Sequence, residues 1–323
     1  MDDNRNITLG EFTQNLAKAI KEDMEMRYGL HVDLEAHKVL KTNVEKEALT
    51  VKFDDPKVAP TLYTEKAYRD FLFGIDLKNI SSKMADDAYK AYQQSPYIPE
   101  ITPEEAKKHI TLTLVNTRLN QQMLEKTPHM EILGGELSAI PRWYISDDAS
   151  FVVSNELCGT LGLTPDEVLM IGQQHINSQD FEAKPMQEIL LEIMGVDHMD
   201  MMPPMDGPQM IVLTSKNKIQ GSNALLSEEA LEHVHDMIGD YVILPSSIHE
   251  VICVPISEDS MQPDELRAMV QEINGTEVAP EERLSDNIMK YDGHKLSLVG
   301  ESFKMETPTA DINMDTQSIK FAM

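Results

Sequence analysis

The apolar residues of this chain do not keep one period: runs spaced by three and four give way to runs spaced by two, and back again, over most of its length. A period near 3.6 buries one stripe of a helix and a period of two buries one face of a strand, so the pattern demands helices and half-buried strands in one molecule. Neither an all-helical bundle nor an all-strand sandwich meets it. The fold expected is α+β, with mixed or antiparallel sheets flanked by helices in two packed lobes.

From Thr8 to Arg27 the residues Leu9, Phe12, Leu16, Ile20 and Met24 recur at three and four, one stripe of a helix that Tyr28-Gly29 ends. "LHVDLEAHKVL" and "ALTVKF" alternate as strands, Asp54-Asp55-Pro56 breaks the chain, and "APTLY" reads as a third strand. A helical region from Thr64 to Tyr92 follows, interrupted near Gly74. "SPYIPEITPEE" then carries three prolines in eleven residues, which places a boundary there. The expected division is residues 1–99 as a helix-strand-strand-helix lobe, 100–300 as a larger α+β lobe, and 301–323 as a loosely held tail.

In the larger lobe, Thr102 and Pro103 open a helix, "ITLTLVN" is a strand and "RLNQQMLEK" a short helix. "MEILGGELSAIPRWYI" and "ASFVVS" form a hairpin turning at Ser146-Asp147-Asp148, with a bulge expected at Gly134 and Gly135. Helices are expected from Thr164 through His175, over "MQEILLEIM", from Leu226 to Ile238 and from Pro263 to Ile273. "QMIVLTS" is a strand and "YVILPSSIHEVICVPI" a strand pair.

Charge narrows the partners. Fifty-five acids against 28 bases leave −27, which disfavours direct nucleic-acid binding, since phosphate contacts rest on clustered Lys and Arg. The acids fall in scattered pairs such as Asp86-Asp87 and Glu281-Glu282, a distribution that suits solubility better than imitation of nucleic acid toward a basic partner. No run approaches the roughly 18 apolar residues of a membrane span, and the start lacks a basic, then apolar, targeting pattern. Cys158 and Cys253 show no paired spacing. A cytoplasmic location without membrane contact is expected.

Five ordered blocks carry a resemblance: "VAPTLYTEKAYRDFLFG", "LTLVNTRLNQQMLEKTPH", "MIVLTSKNKIQGSNALL", "YVILPSSIHEVICVPI" and "EINGTEVAPEERLSDNIMKYD". Together they span roughly residues 8–292 and resemble an uncharacterised bacterial family of unknown function, met mostly in anaerobes and their mobile elements. The resemblance implies a shared fold and supplies no activity, substrate or cofactor. The chain departs from the family pattern around Gly134 to Pro141, and "VDHMDMMPPMDGPQ" is a local elaboration.

The candidate catalytic residues are Ser247, His249 and Glu250. His249-Glu250-x-x-Cys253 has the spacing of a helical zinc motif, but β-branched neighbours and Pro255 point to a strand, on which His249 and Glu250 face opposite ways. Ser247 and His249 would share a strand face with Cα atoms roughly 6.5–7 Å apart, a poor distance for a nucleophile and its base. No nucleophile elbow accompanies them. The favoured reading is a turn in which Ser246 or Ser247 bonds the backbone and His249 anchors a strand start.

Other clusters read the same way. His198 with Met199, Met201, Met202, Met205 and Met210 could attract a soft metal, yet the prolines and acids around them suit a loop. His233 and His235 lie about 200° apart on a helix and cannot chelate. Asn116, Arg118, Asn120 and the Glu281, Glu282, Arg283, Ser285, Asp286 cluster read as caps and loops. No Walker loop or dinucleotide fingerprint occurs, so no cofactor and no metal is expected. The favoured function is a non-enzymatic factor binding another protein, in a mobile-element setting. The alternatives are a hydrolase-like enzyme using the Ser247, His249 and Glu250 neighbourhood, and a nucleic-acid mimic.

Overall fold

The computed structural model describes residues 6–55, 57–97, 100–146, 149–195, 209–256 and 262–300. It is an α+β fold of open antiparallel sheets, in two compact units: residues 1–105 with 144–150, and 106–143 with 151–323. Among the described residues no helix is long and apolar enough to cross a membrane. The expected tail, 301–323, lies outside the described residues.

The first unit opens with α1 (Leu9–Tyr28). Thr8 accepts the Glu11 N–H at 3.3 Å while the Glu11 carboxylate accepts the Thr8 N–H at 2.8 Å, which satisfies two of the four orphan donors at the helix start. The Thr8 hydrogen bonds hold the Glu11 carboxyl below its ordinary range. Gly29 ends the helix in the left-handed region, at φ 63°. Strands β1 (Asp33–Lys41), β2 (Val44–Lys52) and β3 (Thr61–Tyr63) form an antiparallel sheet in that order. Helices α2 (Glu65–Leu72) and α3 (Leu77–Gln94) complete the unit. Phe12, Leu16, Ile20 and Met24 of α1 are fully buried with Leu49, Val51 and Ala85, so the stripe read from the sequence is the core of this unit.

In the second unit α4 (Pro103–His109) leads into β4 (Ile110–Asn116), followed by α5 (Gln121–Leu124) and β5 (Met130–Ile132). β6 (Leu137–Ser146) pairs antiparallel with both β4 and β5, and β7 (Ala149–Val152) also pairs with β6. Gly134 and Gly135 do not form the expected bulge. They make a tight turn between β5 and β6, with φ of 65° and 89°, so that Ile132 faces Leu137 across the pair. Residues 147 and 148 of the expected hairpin turn lie outside the described residues.

Four elements escaped the sequence pattern: α6 (Asn155–Leu161), β8 (Phe181–Pro185), β12 (Met289–Tyr291) and β13 (Leu296–Leu298). Each is too short to show a period. α7 (Pro165–Ser178) and α8 (Met186–Met194) lie where expected, the first with a capping box from Thr164 to Glu167. β9 (Ile211–Ser215), β10 (Tyr241–Leu244), β11 (Glu250–Pro255), β12 (Met289–Tyr291) and β13 (Leu296–Leu298) join β8 in a six-stranded antiparallel sheet of order β13-β12-β10-β11-β9-β8. α9 (Glu228–Ile238) starts two residues later than expected because the Ser227 hydroxyl caps it, accepting the Ala230 N–H at 3.2 Å. α10 (Pro263–Thr276) is the last helix.

A short 3₁₀ turn, Gly221–Leu226, joins the two sheets of this unit. Its Asn223 accepts the Leu114 N–H at 3.0 Å and donates to the Leu112 carbonyl at 2.8 Å. One amide side chain thereby takes the place of a neighbouring strand along β4. α7 covers the same strand closely, since a Cβ at Gly172 would lie 2.7 Å from Leu112 Cδ2. Replacing Asn223 with Leu strands a buried donor and a buried acceptor at once, and should destabilise the protein by about 3 kcal/mol. A denaturant midpoint matching wild type to within about 0.5 kcal/mol would show that β4 does not need this cap.

Candidate functional site

Ser247 and His249 lie in a turn at the start of a strand, the favoured reading of the sequence, and not on the shared strand face of the catalytic alternative. β10 stops at Leu244 and β11 begins at Glu250, so residues 245–249 form the connection between them. Pro245 has no N–H to continue a ladder, and the Ser247 hydroxyl accepts the His249 N–H at 3.0 Å, a local bond that competes with strand pairing. Ser247 N–H in turn donates to the Glu250 carbonyl at 3.2 Å. The turn is closed by its own serine.

The polar partners of this turn come from distant stretches. The Ile248 carbonyl accepts from Ser222, at 2.8 Å from the hydroxyl and 3.2 Å from the amide. The Ile248 N–H donates to the Glu282 carbonyl at 2.9 Å, and Thr214 Oγ1 donates to the His249 carbonyl at 2.7 Å. The imidazole is 35% exposed: Nδ1 accepts the Gln220 N–H at 3.4 Å, and Nε2 lies 3.9 Å from Glu282 Oε1, itself 45% exposed. An acceptor role for Nδ1 places the ring proton on Nε2, toward the carboxylate. Serine oxygen and imidazole are thus each engaged elsewhere, and the hydrogen bond that would activate Ser247 is not made.

The loop that supplies Gln220 is backbone-strained. Lys218 and Gln220 have φ of 58° and 54°, in the left-handed region that non-glycine residues rarely occupy. Gly221 follows, and a Cβ there would lie 2.2 Å from the His249 carbonyl oxygen and 2.3 Å from Thr214 Oγ1. Only glycine fits between β9 and the start of β11. Ser215 Oγ, accepting from Ile219 N–H at 3.1 Å and donating to its carbonyl at 2.8 Å, ties the loop base.

A second polar cluster sits at the ends of β4 and β6. Asn116 Nδ2 donates to the Leu284 carbonyl at 3.2 Å, and its Oδ1 accepts the Leu119 N–H at 3.1 Å. The Glu136 carboxylate accepts from Ser285 Oγ and, at 3.0 Å, from Asn287 Nδ2. Asn274 Nδ2 bonds the Ser285 carbonyl and Asp286 Oδ1, both at 2.9 Å. The Asn116 and Glu281–Asp286 stretches, read separately from the sequence, therefore meet. Gln220, Asn223, Glu136 and Asn274 were missed, because an isolated polar residue between apolar blocks carries no period that would single it out.

Among the described residues no three His, Cys, Asp or Glu side chains converge as a metal site. His233 and His235 both lie on α9; His235 Nε2 is 3.0 Å from Asp240 Oδ1. His198, Met199, Met201, Met202 and Met205 lie outside the described residues. Cys158 and Cys253 are both buried free thiols, and burial pushes each thiol pKa up.

An α+β chain of open antiparallel sheets, with hydrogen-bonded polar turns at the strand ends, is the class these features define. Across residues 10–293 the chain matches the model of a family of unknown function, DUF5688, and it belongs to that family. No curated protein and no solved structure matches it.

Gly221→Ala should destabilise the chain by about 2–3 kcal/mol through backbone overlap, whereas His249→Ala, losing one long hydrogen bond, should cost about 1 kcal/mol or less. Urea midpoints for the two variants check that order, and the reverse order would make His249 the structural anchor. At pH 8 an aromatic disulfide reagent should leave both cysteines of the native chain unmodified and titrate both after unfolding. Rapid native labelling of either would contradict its burial.

Proposed function

We propose that the chain is a non-enzymatic protein-interaction factor. The observation that carries this reading is the turn between α2 and α3. There Leu72, Phe73 and Ile75 are three large apolar side chains within four residues, all exposed, with Phe73 at 87%. The turn is ordered: Phe73 N–H bonds the Arg69 carbonyl at 2.9 Å, Gly74 N–H the Phe71 carbonyl at 3.0 Å, and Ile75 N–H the Asp70 carbonyl at 3.1 Å. A fixed apolar knuckle offered to water loses free energy until a partner covers it, and an aromatic anchor of this kind dominates many interfaces. The engagement of Ser247 and His249 with the backbone supports the same reading.

A photo-crosslinker at position 73, in cells that make the chain, should capture one protein in reproducible stoichiometry. With that protein purified, Phe73→Asp should weaken binding by about tenfold or more. The association rate should change little between about 50 and 300 mM salt, because an apolar anchor rather than charge steering holds the pair. No capture, or full affinity in the variant, would overturn the reading.

A second reading, a hydrolase-like enzyme, draws on the approach of Glu282 to His249 at 3.9 Å, which gives the imidazole a carboxylate from a distant stretch. Its mark would be ester or amide turnover lost in both His249→Ala and Glu282→Gln while stability is retained.

A further inference from the structure

We propose that two copies of this chain pair through the outer edge of β1, antiparallel about a twofold axis that passes His37; this goes beyond the interaction reading above and does not rest on it. β1 is nine residues long and forms one end of its sheet, and among the described residues no strand pairs with its outer side. Its register with β2 runs from Asp33 to Lys41 without a bulge or a proline. An open ladder templates another strand, so natural edges are blunted by brevity, bulges, prolines or lysines. The lysine in mid-strand, Lys38, is drawn back to Glu45 of β2 at 3.0 Å.

The groups that this edge offers follow from β2. There the Glu47 carbonyl accepts the Thr64 N–H at 3.1 Å, and the Val51 N–H donates to the Pro60 carbonyl at 2.9 Å, so both residues turn toward β3. Their partners across the antiparallel pair, Lys38 and Leu34, therefore turn outward, and by alternation so do Ala36 and Leu40. Each of these residues presents an N–H and a carbonyl. One twofold register engages them all: Leu34 opposite Leu40 of the second copy, and Ala36 opposite its Lys38. A shift of two residues either way leaves Leu34 or Leu40 unpaired, and one of those shifts sets Lys38 against Lys38. In the full register Leu40, 40% exposed, covers Leu34 of the second copy, Asp33 meets Lys41, and the two His37 rings face each other at the axis. Asp33 also lies 3.1 Å from Lys21 of its own chain, so charge sets the register while backbone and leucines hold the pair. The edge is complementary to itself, which is what an isologous dimer interface requires.

The test uses the full chain. Sedimentation equilibrium between about 1 and 200 µM should show a reversible monomer–dimer equilibrium. Under mild oxidation His37→Cys should crosslink to its own copy, since a non-hydrogen-bonded pair brings Cα atoms to about 4.5 Å, within disulfide reach. Val39→Cys should not, because in this register its two copies stand about 13 Å apart along the strands. The native cysteines are buried and stay out of the reaction. Lys41→Glu sets like charges opposite each other at both ends and should weaken the dimer about fivefold, and adding Asp33→Lys should restore it. Ala36→Pro removes an outward N–H, which an edge strand tolerates, and should abolish the dimer with Tm held within about 2 °C. Should that variant prove less stable, the two cysteine variants decide. A monomer at every concentration, crosslinking of Val39→Cys in preference to His37→Cys, or a dimer broken by Phe73→Asp and not by Ala36→Pro overturns the proposal. If the chain stays monomeric while the protein captured through position 73 still binds, this inference fails and the interaction reading stands.

Discussion

One amide side chain closes the open side of β4. The strand pairs with β6 along one edge, and on the other its Leu112 carbonyl and Leu114 N–H would need a neighbouring strand or water. Asn223 provides an acceptor and a donor in the geometry of a strand residue, while 2% exposed itself. The cap comes from a turn rooted between β9 and β11, so it also joins the four-stranded and six-stranded sheets. Thr113 extends the joint by donating to Gln220 Oε1 at 2.7 Å.

That joint explains why the loop before it is strained. To reach β4, the chain leaving Ser215 reverses through Lys218 and Gln220 in left-handed conformations, then passes Gly221 where no side chain fits. Such strain persists only where surrounding contacts over-determine it. Here the contacts are Ser222 on the Ile248 carbonyl and Thr214 on the His249 carbonyl. The histidine that looked catalytic in the sequence thus contributes its backbone to the joint, and its ring leans on Gln220 as a consequence.

Legibility in the sequence tracked the length of each element. α1 was read with its stripe and terminating glycine, because twenty residues carry five turns of pattern. The five residues of β8 and the seven of α6 hold only about two periods each, and both elements were missed. The Gly134-Gly135 pair was recognised as a break but not as a reversal, since a bulge and a tight turn ask for the same residues and differ only in what pairs next. At the candidate site, Pro245 and the two serines between apolar runs marked a turn, with His249 at the start of a strand. The Ser247 hydroxyl accepts the His249 N–H within that turn, which removes the shared strand face of the catalytic alternative. Glu136, and the approach of Glu282 to His249, were beyond reach, as the partners lie at long sequence separation and are fixed only by the packed sheets.

The first compact unit is not one stretch of chain, for it takes residues 144–150 from the hairpin of β6 and β7 as well as residues 1–105. A gene fragment ending at residue 105 therefore cannot encode it whole, and the remainder cannot be trimmed away without cutting β6. The family match likewise runs across both units, from residue 10 to residue 293, so the boundary between them is no boundary of the family.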